Sequence, residues 1–353
     1  MRILFLAEYY PPMIQGGAEI SLPILAHELS KRHEVHVLTP NYHAGGNEER
    51  LDGKIRVHEF SSIRRLFFRG RRVSGAVYAA SKPAFSFLRD AAVRIFVREM
   101  SRKLEEFCKG REFDVIHANN YESALSLASA DVKAAKVAHL RDLRLMKKPL
   151  KGMKFIAISD FLREKYAPLM GGDIVTVYNP VKPARPAAKD HDIVLFVGSL
   201  TEEKGARLLP AIASCIGKKT LVVVGEGPER PALEPVPNIS LEGFAEDTGK
   251  YYAKAPILAV PSRWEEGFGR VVAEGQANGC VVVATRKGAI PELIEDGKTG
   301  ILADSVAEIC NAVNSLSPAV IKRISANARK ASKKYEPSVI ARQMENIYKN
   351  MLQ

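Results

Sequence analysis

The 353-residue chain carries 52 Lys and Arg against 40 Asp and Glu, a formal net charge of +12, and 46% of it is hydrophobic. Such a composition excludes a disordered or fibrous chain, and the length is large for a single core, so two domains are the default. No apolar run approaches the about 20 residues of a membrane span, and the opening RILFLAEYY has no cleavage-site pattern, so neither a span nor a signal peptide is expected and the protein is placed in the cytoplasm.

Cys108, Cys215, Cys280 and Cys310 are scattered without a CxxC, which predicts reduced core thiols rather than disulfides or a zinc site. The excess positive charge suits an anionic partner such as a membrane surface, nucleic acid or phosphorylated substrate, or reflects a general basic habit.

In chain order, Arg2 to Ala7 reads as a first strand, followed by a loop with Pro11, Pro12, Gly16 and Gly17 and then a helical pattern from Ala18-Glu19. Gly16-Gly17 directly before a helix either lets the backbone approach a phosphate or sugar closely or simply turns the chain. Glu34 to Pro40 and Lys54 to Phe60 read as further strands, separated by a polar Gly-rich loop at His43 to Asp52.

From Ser61 to Arg111 the composition shifts. Arg64, Arg65, Arg69, Arg71 and Arg72 interleave with Leu66, Phe67 and Phe68, and after Lys82-Pro83 a long helical pattern carries Arg89, Arg94, Arg98, Arg102 and Lys103. Basic residues beside aromatics suit anionic lipid head groups, each charge contributing about 1 kcal/mol. The other reading is a solvated basic helix face with Phe85, Phe87 and Phe96 turned to the core. No RRM, KH or zinc-finger pattern accompanies the segment, so nucleic acid is not an expected partner.

Asp114 to Asn119, Lys136 to Leu140, Lys154 to Ser159 and Ile174 to Pro180 then read as strands, alternating with helical patterns at Glu122 to Ala130 and Asp160 to Ala167. This alternation predicts a parallel, doubly wound sheet. His33, His36 and His58 sit in or beside strands and read as structural, whereas His117 and His139 fall at or near strand carboxyl ends. Val181 to Asp190, VKPARPAAKD, reads as a linker, giving domains at 1–183 and 184–336; Pro337 starts a final helix at 337–353 that is long enough to return to the first domain.

The second domain repeats the alternation with strand segments at Asp192 to Ser199, Thr220 to Arg230, Ile239 to Phe244, Ile257 to Val260 and Val281 to Thr285. GEGPER at Gly225 to Arg230 is half a dinucleotide fingerprint without its third Gly, and a lone GxG carries little. Asp190-His191-Asp192 spells DxD, but with no companion ligands a coincidence is the better account, and no metal site is assigned.

The most informative stretch is Pro261 to Gly279, PSRWEEGFGRVVAEGQANG, set between the apolar runs Ile257 to Val260 and Val281 to Ala284. It predicts a strand, a loop and a helix whose N-terminus faces the carboxyl end of the sheet, where α/β proteins bind ligands. Glu266 and Glu274, eight positions apart, would lie about 12 Å apart along the axis, with the amides of Gly267, Phe268 and Gly269 between them. A ligand with hydroxyls at both ends and anionic in the middle, such as a sugar nucleotide, fits that layout. Two glutamates on a solvated helix surface are the plain alternative.

Taken together, PPMIQGGAE, DVIHAN, VGSLTEEKG, VVGEGPE, the Pro261 to Gly279 stretch and GAIPELIEDGKTGIL are similar, in order, to segments of retaining GT-B glycosyltransferases of family 4 (group 1), and the resemblance covers essentially the whole chain. It implies two Rossmann-like doubly wound domains facing a central cleft and an enzyme that moves a hexosyl group from a nucleoside diphosphate sugar to a lipid-linked or polysaccharide acceptor. No cofactor or metal is expected, and an anionic membrane surface could meet segment 61–111.

By the same resemblance, Glu266 would hold donor-sugar hydroxyls, Lys204 would neutralise the leaving diphosphate and Glu274 would bind ribose. The amides around Gly267, Phe268 and Gly269 would support sugar and phosphate. Gly16 and Gly17 would approach from the opposite lip, and the base would rest near Gly225, Gly227 and Phe244.

Two positions depart from the family pattern. Ser199 stands where an Arg is frequent, unless Arg263 or Arg270 supplies the charge, and HLRD places Arg141 where the family often has a His that contacts the donor sugar, so the resemblance implies that Arg141 takes that role or that His139 serves from one pleat away. A sugar-nucleotide epimerase of the same fold, or a non-catalytic nucleotide-sugar or lipid-binding partner of another transferase, are the alternative readings.

Overall fold

A computed structural model describes residues 1–14, 16–42, 47–62, 86–143, 150–171 and 173–353, with the side chains of 86–89 excluded. The arginine and phenylalanine cluster read at 64–72, Lys82-Pro83 and the side chains of Phe85, Phe87 and Arg89 therefore lie outside the described residues. The chain divides into two compact units, Met1–Pro180 with Pro337–Gln353 and Val181–Glu336.

The first unit is an eight-stranded sheet of β1 (Arg2–Leu6), β2 (Glu34–Asn41), β3 (Glu48–Asp52), β4 (Ile55–Ser61), β5 (Val115–Ala118), β6 (Ala135–Leu140), β7 (Lys154–Ala157) and β8 (Ile174–Thr176), in the order β3-β4-β2-β1-β5-β6-β7-β8. All its pairs are parallel except β3 with β4. That exception corrects the expected His43 to Asp52 loop, whose latter half is the strand Glu48-Glu49-Arg50-Leu51-Asp52. Its alternation is too polar to signal a strand, and it survives because an edge strand tolerates charge.

Helices α1 (Gly17–Leu29), α2 (Ser86–Cys108), α3 (Tyr121–Ser129) and α4 (Asp160–Met170) connect the strands. On α2, Phe96, Met100 and Leu104 are buried while Arg94, Arg98 and Arg102 are exposed, the spacing of an amphipathic helix.

The second unit has six parallel strands, β9 (Ile193–Val197), β10 (Thr220–Val224), β11 (Ile239–Gly243), β12 (Ile257–Val260), β13 (Val281–Thr285) and β14 (Ile301–Ala303), ordered β11-β10-β9-β12-β13-β14. Their near-continuous apolar sequences follow from burial on both faces of a parallel sheet. Helices α5 (Leu209–Cys215), α6 (Gly249–Lys254), α7 (Arg270–Ala277), α8 (Ile290–Leu293), α9 (Val306–Ser315) and α10 (Pro318–Ser332) cover it.

One expectation fails in this unit. Cys215 and Cys310 form a disulfide that ties α5 to α9, leaving Cys108 and Cys280 as free thiols. Spacing in the chain could not reveal this pair, because the two helices become neighbours only once the sheet is assembled. The segment read as a linker is docked: Ala184 N–H donates to Asn278 Oδ1 at 2.8 Å, and the Lys189 ammonium donates to the carbonyls of Tyr252, Ala255 and Asn278 at 2.8, 2.9 and 2.9 Å. One half-buried lysine thus closes carbonyls that the ends of α6 and α7 leave open.

The last helix, α11 (Pro337–Leu352), belongs to the first unit. Its Ile340, Ala341, Met344 and Tyr348 recur at helical spacing and enter the same core as Leu22, Leu25, Ala26 and Leu29 of α1. Beside them Glu345 accepts from Arg32 at 2.8 Å and pairs with His33 at 3.0 Å.

Candidate functional site

In the second unit the strand order reverses between β9 and β12, and the carboxyl ends of strands at such a reversal are the usual place for a ligand in a doubly wound sheet. Lys204 comes from the loop after β9, and Glu266 from the loop after β12. The Glu203 carbonyl joins the two loops by accepting from the amides of Arg263 and Trp264 at 2.9 and 3.1 Å.

Lys204 Nζ donates to Glu266 Oε1 at 2.7 Å, and Ser262 Oγ donates to the same oxygen at 2.8 Å. The Glu266 side chain is 12% exposed and that of Lys204 37%, so the carboxylate is the fixed member and the ammonium the accessible one.

The backbone beneath Glu266 is equally constrained. Its carbonyl accepts from Ala289 N–H at 2.8 Å, and Thr285 Oγ1 donates to the Ser262 carbonyl at 2.6 Å. Gly288 has φ +58°, and a Cβ there would stand 2.3 Å from the Glu266 carbonyl oxygen, so only glycine fits. Past Gly267, Phe268 is buried edge-on against Tyr335 with ring centroids 5.6 Å apart, and Gly269 precedes α7, whose start has no side-chain cap. The positive end of a helix favours an anion.

Glu274 lies one turn into α7, where Arg270 Nε meets its Oε1 at 2.6 Å. The hydroxyl of the buried Tyr252 of α6 also faces it; burial first, and then the Glu274 charge, push that hydroxyl well above its ordinary range, so it remains a donor. Sequence reading misses Tyr252, because a tyrosine on a separate helix shares no spacing pattern with Glu274. Arg270 and Arg263 are the candidates to replace a charge at Ser199; each instead holds a carboxylate, Arg263 pairing with Glu202 at 2.7 Å, while Ser199 is exposed on the loop after β9.

Gly225 and Gly227 follow β10. A Cβ on Gly225 would fall 1.9 Å from the Gly198 carbonyl oxygen and one on Gly227 2.4 Å from that of Leu200. Their glycine identity is therefore dictated by the close backbone packing of adjacent strand-end loops, sealed by Leu200 N–H to the Glu226 carbonyl at 2.9 Å. Phe244, just past β11, is 74% exposed and presents an aromatic face at the same edge of the sheet.

The first unit gathers its polar groups at the corresponding edge of its own sheet. Gly16 is exposed and donates its N–H to Glu19 Oε2 at 2.7 Å, and Gly17 opens α1. Asn120 Nδ2 approaches Glu19 Oε1 at 3.3 Å, and burial raises the Glu19 carboxyl above its usual range against the pull of these donors and of Arg141. Glu8 Oε1 accepts from the amides of Glu122 and Ser123 at 2.7 and 3.0 Å, capping α3 from within the core.

Arg141 is 8% exposed. It donates to Asn179 Oδ1 through Nη1 and to His139 Nδ1 through Nη2 at 3.1 Å. Burial and the Arg141 charge hold both His117 and His139 well below the usual imidazole range. The sequence offers Arg141 and His139 as alternatives; the structure makes them partners. Glu8, Asn120 and Asn179 carry no sequence signal of their own. Among the described residues no three His, Cys, Asp or Glu side chains converge as metal ligands, and no helix is long and apolar enough to cross a membrane.

Comparison with known proteins assigns the two halves to matching families. The Glycosyltransferase Family 4 model matches residues 15–185, and the Glycosyl transferases group 1 model residues 191–317. An uncharacterized 42.6 kDa protein in the cps region of Klebsiella pneumoniae is 25% identical over 83% of this chain and 87% of its own. The phosphatidyl-myo-inositol mannosyltransferase of Mycobacterium leprae is 29% identical over 56% of this chain and 59% of its own. Among solved structures, Anabaena HepE in complex with UDP superposes with a TM-score of 0.74 at 20% identity, over 99% of this chain and 100% of that one, a likeness of fold. The paired α/β units and the two family models together place the chain in the group 1, family 4 glycosyltransferases.

Proposed function

We propose that this glycosyltransferase moves a hexosyl group, with retention, from a nucleoside diphosphate sugar to a glycan or lipid-linked acceptor. The observation that carries the reading is the Lys204–Glu266 pair at the switch point of the second unit, placed beside the start of α7. Glu266, held by Ser262 and Lys204, offers an acceptor to sugar hydroxyls. Lys204 and the α7 N-terminus suit a diphosphate, and Glu274, paired with Arg270, suits ribose hydroxyls. HepE, the structural neighbour, is known with UDP and with UDP-glucose, which supports this donor class.

In the proposed step the bond between the anomeric carbon and the leaving phosphate oxygen breaks as the acceptor oxygen bonds to the same face. The acceptor proton passes to that phosphate oxygen, so no protein nucleophile takes part. Charge accumulates on the diphosphate as the bond breaks, and Lys204 leaves Glu266 to neutralise it.

The test is a thermal-shift screen against UDP-, GDP- and ADP-sugars. A donor at 100 times its dissociation constant stabilises by about 2.7 kcal/mol, and Lys204→Ala and Glu274→Ala should each shrink that shift. NMR of the product then reads the anomeric configuration. A response to none of these donors, or an inverted product, would refute the donor or the stereochemical part respectively.

A further inference from the structure

Behind Arg141 three buried polar side chains follow one another in contact. Tyr348 of α11 places its hydroxyl 2.6 Å from His117 Nδ1; His117 Nε2 lies 3.1 Å from His139 Nδ1; and Arg141 Nη2 meets that same Nδ1 at 3.1 Å. Tyr348 and His117 are fully buried and His139 is 2% exposed. The proton positions follow from one fact, that a guanidinium can only donate. His139 Nδ1 must be a bare lone pair, so its proton is on Nε2, a buried atom with no hydrogen-bond partner among the described residues. His117 Nε2, pointing at the same lone pair, must carry a proton, so its own Nδ1 is bare and accepts the Tyr348 hydroxyl. The single lone pair of His139 Nδ1 is then shared by two donors.

We infer that Tyr348, His117 and His139 are positioning residues for Arg141, holding its guanidinium in one pose through a single directed chain of hydrogen bonds. The inference rests on the reading of Arg141 as the group that meets the donor sugar. It gives the docking of α11 on the first unit a role beyond filling the core, since that helix supplies the first donor of the chain. Asn179 fixes the other end of the fork, so Arg141 is oriented on both nitrogens of its terminus. The groups facing the imidazoles are Arg141 and Tyr348, with Glu19 acting on Arg141 from α1, and a proton added to either ring would confront the guanidinium with a second cation.

Two measurements on the full chain decide it. In 15N-histidine NMR, His117 and His139 should both appear as neutral Nε2–H tautomers from pH 8 down to pH 5, and Arg141→Ala should release both rings to a mixture of tautomers. An Nδ1–H signal from His139, or titration of either ring near its ordinary pKa, overturns the chain as drawn.

The second measurement is a double-mutant cycle on UDP release from UDP-glucose. Tyr348→Phe should lower kcat about tenfold with little change in KM, and should have almost no further effect in an Arg141→Ala background. His139→Gln, whose amide oxygen can still accept from Arg141, should keep most of the rate that His139→Leu loses. An equal loss from Tyr348→Phe in both backgrounds, or equal rates for the Gln and Leu variants, means the residues are merely structural. Full UDP release by Arg141→Ala overturns the positioning role while leaving the donor reading intact, because the thermal shift with UDP-sugars does not depend on it.

Discussion

Gly288 shows how tightly one side chain of the candidate site is governed by a residue distant in sequence. Substitution by Ala combines a left-handed backbone, which costs a side-chain-bearing residue about 1–2 kcal/mol, with a Cβ 2.3 Å from the Glu266 carbonyl oxygen and 2.4 Å from its nitrogen. The collision can be relieved only by moving the Glu266 backbone. Gly297 supplies the control, since its φ of +71° imposes the same strain while nothing lies within 4 Å of an added methyl. Gly288→Ala should therefore lower transfer about 100-fold, the scale of an ångström misplacement, whereas Gly297→Ala should lose stability alone. Steady-state rates and urea midpoints on both variants check this; equal rates would mean that Glu266 needs no such close placement.

At the scale of elements, the Cys215–Cys310 disulfide closes a sequence separation of 95 residues across α5 and α9. The chain-entropy account gives a loop of that size about 4.5 kcal/mol of stabilisation, with strain and residual structure reducing it in practice. Reduction with dithiothreitol, or the Cys215→Ser/Cys310→Ser pair, should lower the urea midpoint of the second unit with little effect on the first. An unchanged midpoint would show that α5 and α9 are held by packing alone.

The same elements mark what a sequence can disclose. Strands such as β10 and β13 are legible because burial on both faces demands unbroken apolar runs. The Glu266 loop is legible because glycines and a helix start punctuate it between two such strands. The β3 edge strand, the disulfide, the docking of Lys189 and the nearness of Tyr252 to Glu274 are not, since each depends on which segments the sheet order brings together. Arg141 illustrates the boundary: its position draws notice in the sequence, but its imidazole partners become a chain only when β5, β6 and α11 are assembled.

At the scale of the molecule, the two units differ in how they should respond to acid. His33, His36, His58, His117 and His139 all belong to the first unit, and burial is the leading cause that lowers each below the ordinary imidazole range. The second unit contains only His191. With folded pKa values depressed, the unfolded first unit takes up protons before the native one, so the stability is present above about pH 6.5 and is lost as the pH falls, at about 1.4 kcal/mol per pH unit for each proton taken up on unfolding. Glu19 works the other way: its raised pKa means the native unit binds that proton first, offsetting one imidazole. The lowered carboxyls of Glu34, Glu345, Glu203 and Asp296 lose their contribution only lower, in the carboxylate range. Between pH 7.5 and 5.5, native-state hydrogen exchange corrected for intrinsic rates should show protection in β1, β2 and β5 falling about tenfold or more, while β9, β10 and β12 hold. Equal loss in both units, or none in the first, would mean that its buried imidazoles accept protons without strain, and the directed chain behind Arg141 would lose the neutral rings on which it depends.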